Sequence, residues 1–107
     1  MWVGALEVDL LLGDVRSLKE KRSLVRPVVA ELKRLGVSAA EAGHLDLHRR
    51  ALVGVAVVAA DAAHCREVLD ACERLVERRP EVEVLSARQR LFGSDDEAPG
   101  YPEVTGS

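Results

Sequence analysis

Arg49-Arg50-Ala51-Leu52-Val53-Gly54-Val55-Ala56-Val57-Val58-Ala59 is the stretch on which the fold turns. Val53, Val55 and Val57 stand at alternate positions and share one face of an extended strand, while Leu52, Gly54, Ala56 and Val58 form a smaller apolar set on the other. On the C-terminal side, Asp61 is a good helix N-cap, and Ala62, Cys65, Val68, Leu69, Cys72, Leu75 and Val76 return at helical spacing. Arg78 and Arg79 suit the negative end of that helix, and Pro80 stops it. A strand over about Val82 to Leu91 follows.

The N-terminal side reads in the same order. Gly43 to Asp46 form a turn, preceded by a short Ala-rich strand over 37–42. Before it, Ser17 and Glu20 make the S-x-x-E capping pattern, and Leu18, Val25, Val28, Val29, Leu32 and Leu35 lie on one stripe that ends at Gly36. Pro27 interrupts this helix on the side away from the stripe; it predicts a bend, or a second helix start with Pro27 at the first position. Residues 2–12 alternate, with Trp2, Leu6, Val8, Leu10 and Leu12 on one face and Glu7 and Asp9 on the other.

Strand, helix, strand, strand, helix, strand is two βαβ halves, each with a right-handed crossover. The predicted fold is α+β: a ferredoxin-like βαββαβ sandwich, a four-stranded antiparallel sheet with two helices on one face. The halves show no convincing internal repeat. Residues 1–92 form this domain, and the Gly/Pro-containing acidic segment 93–107 is expected to be a disordered tail.

The chain's 107 residues are enough for one core. Trp2, Phe92 and Tyr101 are the only aromatics, so that core is built from Val, Leu and Ala. Cys65 and Cys72 are seven residues apart on a helix, about 10 Å along its axis, too far for a disulfide. They are expected to be reduced core residues, and with no targeting or spanning segment the protein is expected to be cytoplasmic.

Net charge is −3 but unevenly placed. The tail holds Asp95, Asp96, Glu97 and Glu103 and no base, −4, leaving 15 basic and 14 acidic side chains elsewhere, +1. Residues 16–34 hold seven basic and two acidic side chains, +5. On a helical wheel Lys19, Arg22, Arg26 and Lys33 cluster on one flank, while Lys21 points nearer the core. Such a stripe can track a phosphate backbone. Lys19, Lys21, Arg22, Arg26 and Lys33 are therefore the candidate RNA or phosphate ligands, joined by Arg49 and Arg50 if the fold brings them close.

Other constellations favour plain readings. His44, Asp46 and His48 alternate and would share a strand face, but the turn predicted there scatters them, so no metal site is assigned. His64 reads as a cap-region histidine beside a buried Cys65, not as part of a nucleophilic pair. Glu7 and Asp9 are expected to be solvated or paired with Arg88 or Arg90. No glycine spacing approaches a phosphate loop. No enzyme activity, cofactor, small-molecule substrate or membrane is expected. The sheet face away from the helices carries no aromatic on its central strands, so base stacking there is not expected; its small apolar residues suit a homodimer contact or cover by the chain's own tail.

Leu6-Glu7-Val8-Asp9-Leu10, Ser17-Leu18-Lys19-Glu20-Lys21-Arg22, Ser38-Ala39-Ala40-Glu41, Asp46-Leu47 and Val53 to Val58 resemble the YlxP-like family of small bacterial proteins over about residues 1–92. The resemblance implies a ferredoxin-like domain of unknown function, encoded near transcription, translation-initiation and ribosome-maturation factors. It implies a role near RNA or the ribosome. Relatives often carry an aromatic where this chain has His48. The expected function is a non-enzymatic accessory role in bacterial translation or RNA metabolism, with RNA held on the first helix; the alternative is a homodimeric interaction module without nucleic acid.

Overall fold

A computed structural model describes residues 1–94. The elements are β1 (Trp2–Leu12), α1 (Leu18–Lys33), β2 (Ser38–Gly43), β3 (Arg50–Ala59), α2 (Ala62–Glu77) and β4 (Val82–Gly93). The strands form one sheet in the order β2-β3-β1-β4, and every neighbouring pair is antiparallel. Both helices bury their apolar stripes on the same sheet face, which gives the ferredoxin-like sandwich the strand and helix order predicts.

The alternation in β1 sets this out. Leu6, Val8, Leu10 and Leu12 are fully buried against Val53, Val55 and Val57 of β3, Val25, Val28 and Leu32 of α1, and Cys65, Leu69, Cys72 and Val76 of α2. Gly4 sits where α2 comes closest: a Cβ there would lie 2.9 Å from Cys65 Sγ and 2.9 Å from Leu69 Cδ1. Both cysteines are free and buried, and burial pushes both thiols up from the ordinary thiol range.

The caps form as the sequence predicts. Ser17 Oγ accepts from the Glu20 amide at 3.1 Å, and the Glu20 carboxylate accepts from the amide of Arg16, one residue earlier than the standard box. Asp61 accepts from the His64 amide at 2.7 Å. Gly36 takes φ +81° just beyond α1, the left-handed position that favours glycine.

Three expectations are corrected. α1 runs through Pro27 as one helix, so there is no second start; Pro27 is solvent-facing and the carbonyl it leaves without a donor belongs to exposed Ser23. Leu18 in the first turn of α1 and Leu35 two residues beyond its end, both assigned to the buried stripe, are exposed, and Lys21 fills the inner face instead. β4 continues past the expected end near Leu91 to Gly93, which pairs with Trp2. The predicted disorder of the tail concerns residues that, from 95 onward, lie outside those described.

Candidate functional site

Helix geometry places Arg22, Arg26 and Lys33 on one flank of α1, four and seven residues apart and so nearly in line. α1 lies over β2 and β3, with its opposite flank toward α2, where Glu31 pairs with Arg79 at 3.3 Å. The basic flank therefore faces outward beside β2, the edge strand. Between them runs a groove of about 390 Å³, walled by Arg22, Arg26, Lys33 and Glu41 and floored by Val25, Val29 and Ala30. Among the described residues none of the three cations has a side-chain partner. Lys19 is exposed on the same flank but does not line the groove.

Lys21 is a correction to the basic set. Its side chain is only 2% exposed. Its ammonium pairs with Glu41 Oε1 at 2.6 Å and donates to the carbonyls of His44 at 2.7 Å and Leu47 at 2.6 Å. Three donors meet three acceptors, which is how a buried ammonium is tolerated. It ties the β2–β3 connection to α1 and has no donor left for a phosphate. The same pair balances the charge of the one acid in the groove wall.

Arg50 is the second correction. It stands opposite Leu11 on the sheet face away from α1, and its guanidinium grips Asp9, with Nη2 at 2.8 Å from both carboxylate oxygens. Arg49 is exposed beside a shallow hollow lined by Leu11, Leu12, Gly13 and the start of β4, apart from the α1 groove. Neither arginine extends the basic flank.

The open sheet face has its own cluster. Asp9 is held below the ordinary carboxylate range, first by the Arg50 hydrogen bond, against burial, and then by His44. His44 Nε2 approaches Asp9 at 3.4 Å, and His44 itself has φ +57°, unusual outside glycine. A hollow of about 190 Å³ here is lined by Glu7, Asp9, His44, Leu52, Ser86 and Arg88. The expected pairing of Glu7 and Asp9 with Arg88 or Arg90 is thus replaced, for Asp9, by Arg50. His44 turns to Asp9 instead of toward Asp46 and His48, and among the described residues no three His, Cys, Asp or Glu side chains form a metal-binding group. His64 lies on exposed α2 surface, 3.8 Å from Glu67.

Glu41 was not among the sequence-derived site residues. Its signal was indirect: a lysine on the inner stripe of α1 demands a buried acceptor, and Glu41 is the acid that β2 brings to it.

The architecture defines a ferredoxin-like α+β domain. Residues 3–89 match the family described as "Protein of unknown function (DUF503)", and the chain belongs to that family. It is 26% identical over 91 residues to the uncharacterised protein YlxP of Bacillus subtilis (strain 168), covering 84% of this chain and 99% of the relative. Among solved structures, a de novo designed protein with a ferredoxin fold superposes with TM-score 0.54 at 12% identity, over 100% of this chain and 99% of its own. SnoaB, a cofactor-independent oxygenase from Streptomyces nogalater, gives TM-score 0.49 at 14% identity over 92% of this chain and 97% of its own, too low to carry an argument. Among the described residues no helix is long and apolar enough to cross a membrane.

Proposed function

We propose that this protein is a non-enzymatic accessory protein of bacterial translation or RNA metabolism that holds RNA by its phosphates in the groove between α1 and β2. The observation that carries the reading is the row of three cations, Arg22, Arg26 and Lys33, without a partner among the described residues, on a groove whose one acid among them is already paired with Lys21. From Arg22 to Lys33 the helix rises about 16 Å, enough to follow several consecutive phosphates. The apolar floor of Val25, Val29 and Ala30 gives the sugar face a surface that water leaves readily. Base stacking plays no part, since the central strands β1 and β3 present no aromatic on the open face.

Three phosphate contacts to a single strand give a slope of about −2 for log affinity against log salt. Filter binding of single-stranded RNA at several salt concentrations reads that slope. The Arg22→Glu, Arg26→Glu, Lys33→Glu chain should lose both the affinity and the slope, and should no longer sediment with ribosomes. Binding and slope equal to the parent chain would overturn the proposal.

A further inference from the structure

We infer that the β2–β3 connection, residues 44–49, is the base-contacting part of the RNA site, with Leu45 and Leu47 lying against bases of a strand whose phosphates follow α1. The inference rests on the reading of the groove as a phosphate site and adds what that reading leaves out, a surface for the bases.

The topology brings the connection to one end of the groove. β1 and β2 both pair antiparallel with β3 and so run parallel to each other, and α1 returns between them in the opposite sense. The first turns of α1 therefore lie beside the last residues of β2. A strand passing from Lys33 to Arg22 leaves the groove where residues 44–49 begin. One ammonium fixes that junction. Lys21 holds Glu41, which walls the groove, and in the same grip the carbonyls of His44 and Leu47. The row of cations continues past this point, because exposed Lys19 stands about one turn before Arg22 on the same flank.

The connection is held from within and still displays apolar side chains. The Leu47 amide donates to the His44 carbonyl at 3.0 Å, and the His44 ring reaches Asp9 at 3.4 Å. His44 keeps φ +57°, a backbone state that costs energy outside glycine and persists where the surroundings enforce it. On this fixed backbone Leu45 and Leu47 are 62% and 49% exposed. Two apolar side chains on an already ordered connection meet a ligand with little ordering cost.

Charge decides which part of the strand turns toward them. Asp46 stands between the two leucines, exposed and, among the described residues, without a cation partner. Its carboxylate repels phosphates, which Lys19 and Arg22 attract to the helix side. Arg49, at the far end of the connection, lines the hollow beside Leu11 and Leu12. The uncharged faces of the bases are what remains to lie on Leu45 and Leu47, a contact that needs no aromatic ring.

Fluorescence anisotropy at one salt concentration compares a short single-stranded RNA with an abasic ribose–phosphate strand of the same length. The parent chain should hold the RNA about tenfold tighter, the effect of burying most of one leucine side chain. Leu45→Ser with Leu47→Ser should lose that tenfold for the RNA and leave the abasic strand and the salt slope unchanged. Leu45→Met with Leu47→Met should keep the preference, since the apolar surface is retained. Equal affinity of the parent for both strands would overturn the inference while the phosphate reading stood on its salt slope. So would a serine chain that binds RNA as the parent does. Failure to bind either strand would overturn both. A parent of doubled mass in light scattering that the serine changes return to a monomer would make the leucines a contact between copies, and would overturn the inference too.

Discussion

The α1 groove and the open sheet face are both rich in charge, and they use it in opposite ways. In the groove, Arg22, Arg26 and Lys33 stand in a row without counter-ions, and the single acid is tied inward. On the open face Asp9 is gripped by Arg50 and approached by His44, and the exposed Arg88 and Arg90 share that face with the acids Glu7 and Glu83. A count of lysines and arginines does not distinguish the two surfaces. What distinguishes them is whether free acids stand among the leftover cations: on the open face Glu7 and Glu83 do, while the acid of the groove wall is taken by Lys21. Lys21 stands between the regions: its ammonium holds Glu41 of the groove wall and the carbonyl of His44, whose ring reaches Asp9 on the other side of the sheet.

Removing Lys21 is the strongest way to break that division. Lys21→Met keeps the stem but leaves Glu41 and two carbonyls without their donor. Urea unfolding should show a loss of about 3 kcal/mol, the lower end for a broken buried pair because Glu41 retains some access to water. Amides of residues 44–49 should exchange faster, since the connection loses its anchor. The groove should also weaken toward polyanions, because the Glu41 carboxylate becomes an unanswered negative wall.

Asp9→Asn acts on the open face alone. The Arg50 pair is partly exposed, so its loss should cost about 1 kcal/mol at neutral pH. The sign with pH follows from the lowered carboxyl of Asp9. A group whose folded pKa lies below its unfolded value stabilises the protein above the unfolded pKa, and that contribution fades as pH falls through the folded one. The stability gap between parent and Asp9→Asn should therefore be constant above about pH 5 and close below about pH 4. A gap that persisted unchanged to pH 2 would mean that Asp9 contributes by shape and not by charge.

The six elements were legible because their signals are local. Alternation in 2–12 and 49–59, the Ser17 and Asp61 caps and the Gly36 stop each depend on residues a few positions apart. The site was legible only in part. The wheel put Arg22, Arg26 and Lys33 on one flank correctly, because that too is local. It could not show that Lys21 meets Glu41, or that Arg50 meets Asp9, since those partners are twenty and forty-one residues apart and come together only through the sheet order β2-β3-β1-β4. Leu18 and Leu35 erred for a related reason. They satisfy the periodicity, but Leu18 opens the first turn of α1 at the core's edge and Leu35 lies beyond the helix's last residue, Lys33, where the period no longer holds.

Arg26→Ala has the smallest expected effect on the molecule and is the sharpest measure of the difference between the two surfaces. Arg26 is exposed and, among the described residues, unpaired, so its removal breaks no pair and opens no cavity. Unfolding free energy should change by less than about 0.5 kcal/mol. Its guanidinium nevertheless lines the groove midway between Arg22 and Lys33, where a bound strand would cross it. The salt slope for single-stranded RNA should fall by about 0.7, one phosphate's share, uniformly across RNA sequences. Arg50→Ala should do the reverse, lowering stability through the loss of its grip on Asp9 while leaving the slope unchanged. If Arg50→Ala lowered the slope as Arg26→Ala does, the phosphates would follow a path over both sheet faces, and a row of cations without free acids among them would no longer be what separates the groove from the open face.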